Sequence, residues 1–160
     1  MNYKLIKVKS KDKEVLFNLL QFALYDGSMY IDNEIDKYGL FNYIWFDNYF
    51  TDSDRIAYLI KNKTKLLGMV LINENLKHIK KGKCIAEFLI LPQYRRHHIG
   101  KQVAYEIFDK YKVEWEVEPM DNNPIAYNFW KNIISEYTNN NYIIKKHNQS
   151  DVFIFKSNKI

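Results

Sequence analysis

The residue pattern predicts a mixed α/β (α+β) domain. A central, mostly antiparallel sheet is flanked by helices in the order β-α-α-β-β-β-α-β-α-β-β. Three observations carry this expectation. Apolar runs, alternating or unbroken, recur along the whole chain at strand length, near 3–8, 55–60, 65–72, 84–91, 113–118, 142–146 and 152–156. Stretches with helical apolar spacing lie between them. Polar turn signals join neighbouring strands at 61–64 and after 146, as hairpins require.

Each element has its own reason. Tyr3 to Val8 alternates well enough for a first strand, with Leu5 and Tyr3 inward. Ser10 then stands as an N-cap before Val15, Leu16, Leu19, Leu20, Phe22 and Ala23, which recur at helical spacing until Gly27-Ser28. The acidic and aromatic segment from Tyr30 to Phe50 reads as a second helix with loops. Arg55–Ile60 and Lys65–Ile72 form a hairpin about Lys61-Asn62-Lys63-Thr64. A polar, basic turn region from Asn73 to Gly82 leads to a buried strand at 84–91 and a helix over about 99–112. Val113 to Glu118 alternates strictly, placing Trp115 and Val117 on one face and Glu116 and Glu118 on the other, the wet face of a strand. Pro119 ends that strand. Asn123-Pro124 opens another helix, with proline at its favoured first position, running to about Tyr137. Tyr142–Lys146 and Val152–Lys156 close the chain as a second hairpin.

Bulk properties exclude several classes. At 160 residues, with no repeat or linker, the chain is expected to form a single domain over 1–160 with a proper core. Hydrophobic residues at 47% and charged residues at 27% mark a folded chain, not a disordered one. No apolar run approaches the ~20 residues of a membrane span, and Met1-Asn2-Tyr3-Lys4 is no signal peptide. The lone Cys84 precludes an internal disulfide and suits a reducing cytoplasm. A net charge of +5 favours anionic ligands only weakly. The basic clusters 77–81 and 94–98 lie at opposite ends of an apolar strand, which argues against one contiguous nucleic-acid face.

The strongest chemical signal is Pro92-Gln93-Tyr94-Arg95-Arg96-His97-His98-Ile99-Gly100-Lys101, a short basic turn between a strand and a helix start. Unpaired backbone N–H groups and the positive end of a helix dipole there make an anion cradle, suited to phosphate or pyrophosphate. Arg95, Arg96 and Lys101 are expected to add mobile positive charge around it. His97-His98 is a poor metal site, because adjacent side chains diverge and no third ligand stands at helical or hairpin spacing.

Two motifs together carry a resemblance. Pro92-x-x-Arg95-Arg96-His97-His98-Ile99-Gly100 is similar to the [QR]-x-x-G-x-[GA] signature that follows the fourth strand of GNAT-superfamily N-acetyltransferases. Asn123-Pro124-Ile125-Ala126-Tyr127-Asn128-Phe129-Trp130 matches that family's Asn-x-x-Ala-x-x-[FL]-[YW] pattern. The order of strands and helices agrees with a GNAT-like fold over essentially the whole chain. The resemblance implies acetyl-CoA as co-substrate and transfer of its acetyl group to an amine of a small molecule or protein, by direct attack in a ternary complex. It implies that the backbone of Phe88, Leu89 and Ile90 binds pantetheine like an added strand, one N–H polarising the thioester carbonyl. It places the pyrophosphate on Arg95 and the backbone of Arg96, His97, His98, Ile99, Gly100 and Lys101, and sets Asn123 beside the thiol end.

The chain departs from the family twice: His98 replaces the first signature glycine, and Trp130 stands where many members carry a tyrosine acid. Indole cannot supply that proton. Two carboxylates are candidates for the base that deprotonates the amine, Glu87 in the fourth strand and Glu118 after the fifth. Asp26, Asp32, Glu34 and Asp36, mixed with Tyr25, Tyr30 and Tyr38, would suit a cationic or polyamine-like acceptor; a solvated surface with anchored aromatics explains them equally. A non-catalytic CoA-binding or regulatory domain is the alternative function. Assembly into a homodimer stays open.

Overall fold

In the computed structural model, which describes residues 2–157, the first helix starts later than its sequence suggests. Asp12 Oδ2 accepts the backbone N–H of Lys9 at 3.1 Å and closes Ser10–Asp12 into a 3-10 turn. The α-helix α1 therefore runs Lys13–Gly27, and Ser10 is not its N-cap. Leu16, Leu19 and Leu20, at i, i+3 and i+4, are fully or almost fully buried. Phe22, expected in that stripe, is instead 56% exposed. At about 100° per residue it falls roughly a quarter-turn or more from the stripe centre.

The chain divides into two units. The first comprises the residues up to Asn73 together with Ala86–His97. Besides α1 it holds β1 (Lys4–Lys7), α2 (Asn48–Thr51), β2 (Ile56–Asn62), β3 (Lys65–Asn73) and the Ala86–Ile90 part of β4 (Lys83–Ile90). The second helix expected with loops over 30–50 is the single turn α2. Before it the chain loops, with one bridge from Ile35 to Phe41. Asp36 Oδ1 accepts the N–H groups of Tyr38 and Leu40 at 2.8 and 3.0 Å, and the Gln21 side chain bonds both backbone groups of Phe41. A carboxylate that serves its own loop in this way competes with helix formation.

β1 and β2 pair antiparallel, as do β2 and β3, with a bulge at Ile60/Lys61. One core cluster joins Leu16, Leu19 and Leu20 of α1 to Ala57, Leu59, Met69, Leu71 and Leu89, with Phe46 and Tyr49 from the loop side. Gly68 is required where β3 and β4 meet: a Cβ there would stand 1.9 Å from the Leu89 carbonyl oxygen.

The second unit comprises Glu74–Ile85 and the chain from His98 onward. It contains α3 (Ile99–Lys110), β5 (Glu114–Val117), α4 (Pro124–Thr138), β6 (Ile143–His147) and β7 (Ser150–Lys156). Its core is aromatic: Phe108 packs against Trp115, Tyr137 and Phe155 at centroid distances of 5.2, 5.2 and 4.9 Å. Asn123 caps α4, its Oδ1 accepting the N–H of Ala126 at 2.9 Å.

The strand order is β1-β2-β3-β4-β5-β7-β6. β4 and β5 run parallel; β5–β7 and β6–β7 are antiparallel. β4 pairs with β5 through Lys83–Trp115 and Cys84–Glu116. Among the described residues, no helix is long and apolar enough to cross a membrane.

Candidate active site

The basic turn after β4 has the backbone of an anion cradle. Pro92–Tyr94 forms a 3-10 turn, Arg96 has φ 64°, and His98, at φ 58° and ψ 9°, is the N-cap of α3. The position of the missing signature glycine is thus left-handed, a conformation that favours glycine but that histidine tolerates better than most residues. The first helical bond of α3 is Gln102 N–H to His98 O at 3.1 Å. Among the described residues, the backbone N–H groups of Arg96, His97, His98, Ile99, Gly100 and Lys101 have no acceptor. Six consecutive uncommitted donors on an exposed turn are what an anionic ligand needs.

The charges around this turn differ from expectation. The Arg95 guanidinium donates from Nε to the Ile90 carbonyl and from Nη2 to Asp26 Oδ2, both at 2.8 Å. Arg95 thereby ties the end of β4 to α1. Lys101 Nζ is paired with Glu136. Of the three cations expected to be mobile, only Arg96 has no ion pair among the described residues. The fork of Arg95 is committed because a buried strand end presents a carbonyl and α1 presents a carboxylate within its reach.

Glu87 stands on the α1-facing side of β4, in phase with Leu89. It is partly buried, and among the described residues no hydrogen bond or ion pair holds its carboxylate. Burial alone pushes its pKa up to about 7. On the same unit lie aromatic and polar groups, one of them within the field of the Glu87 charge, that the sequence does not single out. Tyr43 feels the Glu87 charge, and desolvation, then Glu87, drive its hydroxyl strongly upward. Tyr49 is also raised, by desolvation, and its hydroxyl accepts from Asn73 Nδ2 at 3.4 Å. Arg55 places its guanidinium carbon 5.4 Å from the Trp45 ring centre and 5.6 Å from that of Tyr49. A signal for Arg55 was present: it lies two residues before Ala57 and four before Leu59, in phase with the core face of β2.

The candidates of the second unit are already engaged. Glu118 Oε1 lies 2.9 Å from Nδ1 of His147, a partner set by the β6–β7 hairpin and invisible to local spacing. Glu116, expected on a wet face, is 2% exposed. Its carboxylate accepts the N–H groups of Lys77, His78 and Ile79, each at 2.7 Å, and so fixes the turn after β3. Three main-chain donors satisfy the buried charge, which is why alternation failed here. Trp130 is buried beside Phe129 and Phe108, at 5.0 and 6.5 Å, as part of the aromatic core. Of the four acidic residues from 26 to 36, Asp26 in α1 is taken by Arg95 and Asp36 by its own backbone, which leaves Asp32 and Glu34.

Comparisons with known proteins agree with this architecture. No curated protein matches the sequence. Among solved structures, the chain is similar to an acetyltransferase from Thermus thermophilus, at 13% identity and TM-score 0.72, over 98% of this chain and 97% of that one. It is similar to PaiA N-acetyltransferase from Thermoplasma acidophilum in complex with coenzyme A, at 14% identity and TM-score 0.64, over 98% and 99%. A third similar structure is spermidine N-acetyltransferase from Vibrio cholerae with CoA and spermine, at 13% identity and TM-score 0.63, over 98% and 96%. At these identities the likeness is one of fold. Family membership comes from the sequence itself: the profile of the acetyltransferase (GNAT) family matches residues 17–133, so the chain belongs to that family.

Proposed function

We propose that this chain is an acetyl-CoA-dependent N-acetyltransferase, in which an amine attacks the thioester directly and Glu87 accepts its proton. The observation that carries the proposal is the Glu87 carboxylate, unpaired and raised to about 7 by burial in the strand that precedes the cradle. An alkylammonium with pKa ~10.4 must lose a proton worth about 4–5 kcal/mol at pH 7 before nitrogen can attack. A carboxylate ionised to roughly half at neutral pH is suited to take it. Glu118, bound to His147, is the weaker candidate for this role.

The residues present fit the nucleotide end of acetyl-CoA. Six uncommitted N–H groups from Arg96 to Lys101 can accept a pyrophosphate, and the exposed Arg96 adds charge. The turn already holds the left-handed angles that such a cradle needs. As the family resemblance implies, the backbone of Phe88, Leu89 and Ile90 would take the pantetheine arm along β4. Asn123 would act through its cap of α4. No side-chain acid is needed on the thiol side, because a thiolate of pKa ~8.5 leaves without full protonation. The burial of Trp130 therefore does not favour a non-catalytic domain. Both units are taken as one acetyltransferase domain over residues 1–160, a reading supported by structural matches that cover 98% of the chain.

Thiol release from acetyl-CoA with a panel of amines tests the proposal. Glu87→Gln should lower kcat by roughly 10²- to 10⁴-fold while leaving acetyl-CoA affinity within about twofold. Full activity in that variant would remove Glu87 as the base. Binding of acetyl-CoA without thiol release for any amine would leave a CoA-binding domain.

A further inference from the structure

We infer that the acceptor carries a carboxylate as well as its amine, and that Arg55 binds that carboxylate on the sheet face that bears Glu87. This rests on the reading of Glu87 as the proton acceptor and names the class of molecule that it serves: a small amino acid.

The placement follows from register. Ala57 pairs with Leu71, and both lie in the core cluster with Leu59, Met69 and Leu89. The side-chain period of two puts Arg55 on that face with Ala57, and Glu87 on it with Leu89. The Leu91 N–H donates to the Leu67 carbonyl at 2.8 Å, which sets Glu87 beside Leu71, one repeat along the strands from the row of Arg55. The Tyr43 hydroxyl feels the charge of both. A cation and a carboxylate with no partner among the described residues thus share one face.

Arg55 is held but keeps one donor unused. Its guanidinium lies over the Trp45 and Tyr49 rings, the Tyr49 hydroxyl accepts a hydrogen bond from it, and the side chain keeps 13% of its surface in solvent. Among the described residues its Nε is buried without a hydrogen-bond partner. Asp52 forms an ion pair with Nε at 3.9 Å, too long for a hydrogen bond. That carboxylate already accepts from Asn48 Nδ2 at 2.8 Å and Thr51 Oγ1 at 2.7 Å. A positioned guanidinium with an unused Nε donor is suited to recognise a carboxylate. The acidic residues, by contrast, have Asp26 paired with Arg95 and Asp36 held by its own loop, which weakens the claim of a polycation.

The test compares amino acids with their decarboxylated partners: phenylalanine with phenethylamine, histidine with histamine, lysine with cadaverine. Binding is read by thermal shift without acetyl-CoA, and turnover by thiol release with it. Loss of a charge-assisted contact should cost about 10- to 100-fold in affinity. At least one amino acid should therefore exceed its amine by that ratio in the native protein, and Arg55→Gln should close the gap by weakening the amino acid only. Arg55→Lys should restore part of it. Equal binding of both members in every pair overturns the inference, as does a preference that survives Arg55→Gln. Amino-acid binding lost in Arg55→Gln but without thiol release supports the Arg55 site and refutes the proposed reaction, so the two failures are distinct.

Discussion

Replacing Glu87 by Gln keeps the side-chain shape and removes its ionisation, so it reports directly on the buried carboxyl. The folded protein holds this group near 7, against 4.5 for the free side chain. Because the folded pKa is the higher one, the neutral carboxyl contributes stability that is complete below 4.5 and is lost as pH rises through about 7. The full span corresponds to about 3 kcal/mol. Between pH 5.5 and 8.5 the native protein should lose about 2 kcal/mol that the Gln variant does not. Other titrating groups are common to both chains and cancel in the difference. Urea unfolding of the two proteins at both pH values provides the assay. The Gln variant should gain about 2 kcal/mol on the native protein from the lower to the higher pH. A difference that is independent of pH would refute the burial of the charge and, with it, the tuned base.

Other expectations follow from particular contacts. His98→Gly should stabilise by roughly 0.5–1 kcal/mol in urea unfolding, because glycine relieves the left-handed strain, and acetyl-CoA binding should be kept or improved. A loss of stability would place the strain elsewhere. Gly68→Ala forces a Cβ onto the Leu89 carbonyl and should cost about 2 kcal/mol or more, seen as a lower Tm or loss of folded protein; a neutral effect would contradict the close approach of β3 and β4. Glu116→Ala orphans three N–H groups and should cost about 3 kcal/mol, with fast hydrogen exchange at residues 77–79. Retained protection there would show that another acceptor holds the turn.

The strands were legible because each is dominated by one signal. The hairpin at Lys63-Thr64 and the runs 65–73 and 83–90 combine apolar sequence with polar breaks, and their ends fall within two residues of expectation. In the segment 30–50, expected as a second helix with loops, the helix is confined to α2, because the aromatic residues have no fixed period and Asp36 and Gln21 satisfy the backbone by side-chain bonds that no local pattern announces. The cradle was legible as a strand, a basic turn and a helix start. The pairing of Arg95 with Asp26, 69 residues away in sequence, was not. Glu87 stood out as a carboxylate in an apolar strand. Tyr43, whose hydroxyl feels its charge, comes from the loop before α2 and meets it only through the tertiary fold. Glu116 misled for a related reason: alternation reports which face a side chain takes, not whether another segment covers that face.

Thermal unfolding during acetyl-CoA titration tests the assignment most directly. Ligand at 100 times its Kd stabilises a native state by about 2.7 kcal/mol, or roughly 5–10 °C in Tm for a chain of this size. The native protein should show that rise. Gly100→Glu, which sets bulk and negative charge beside the uncommitted N–H groups, should abolish it while remaining folded. No shift in the native protein, or an equal shift in Gly100→Glu, would contradict acetyl-CoA binding at this turn.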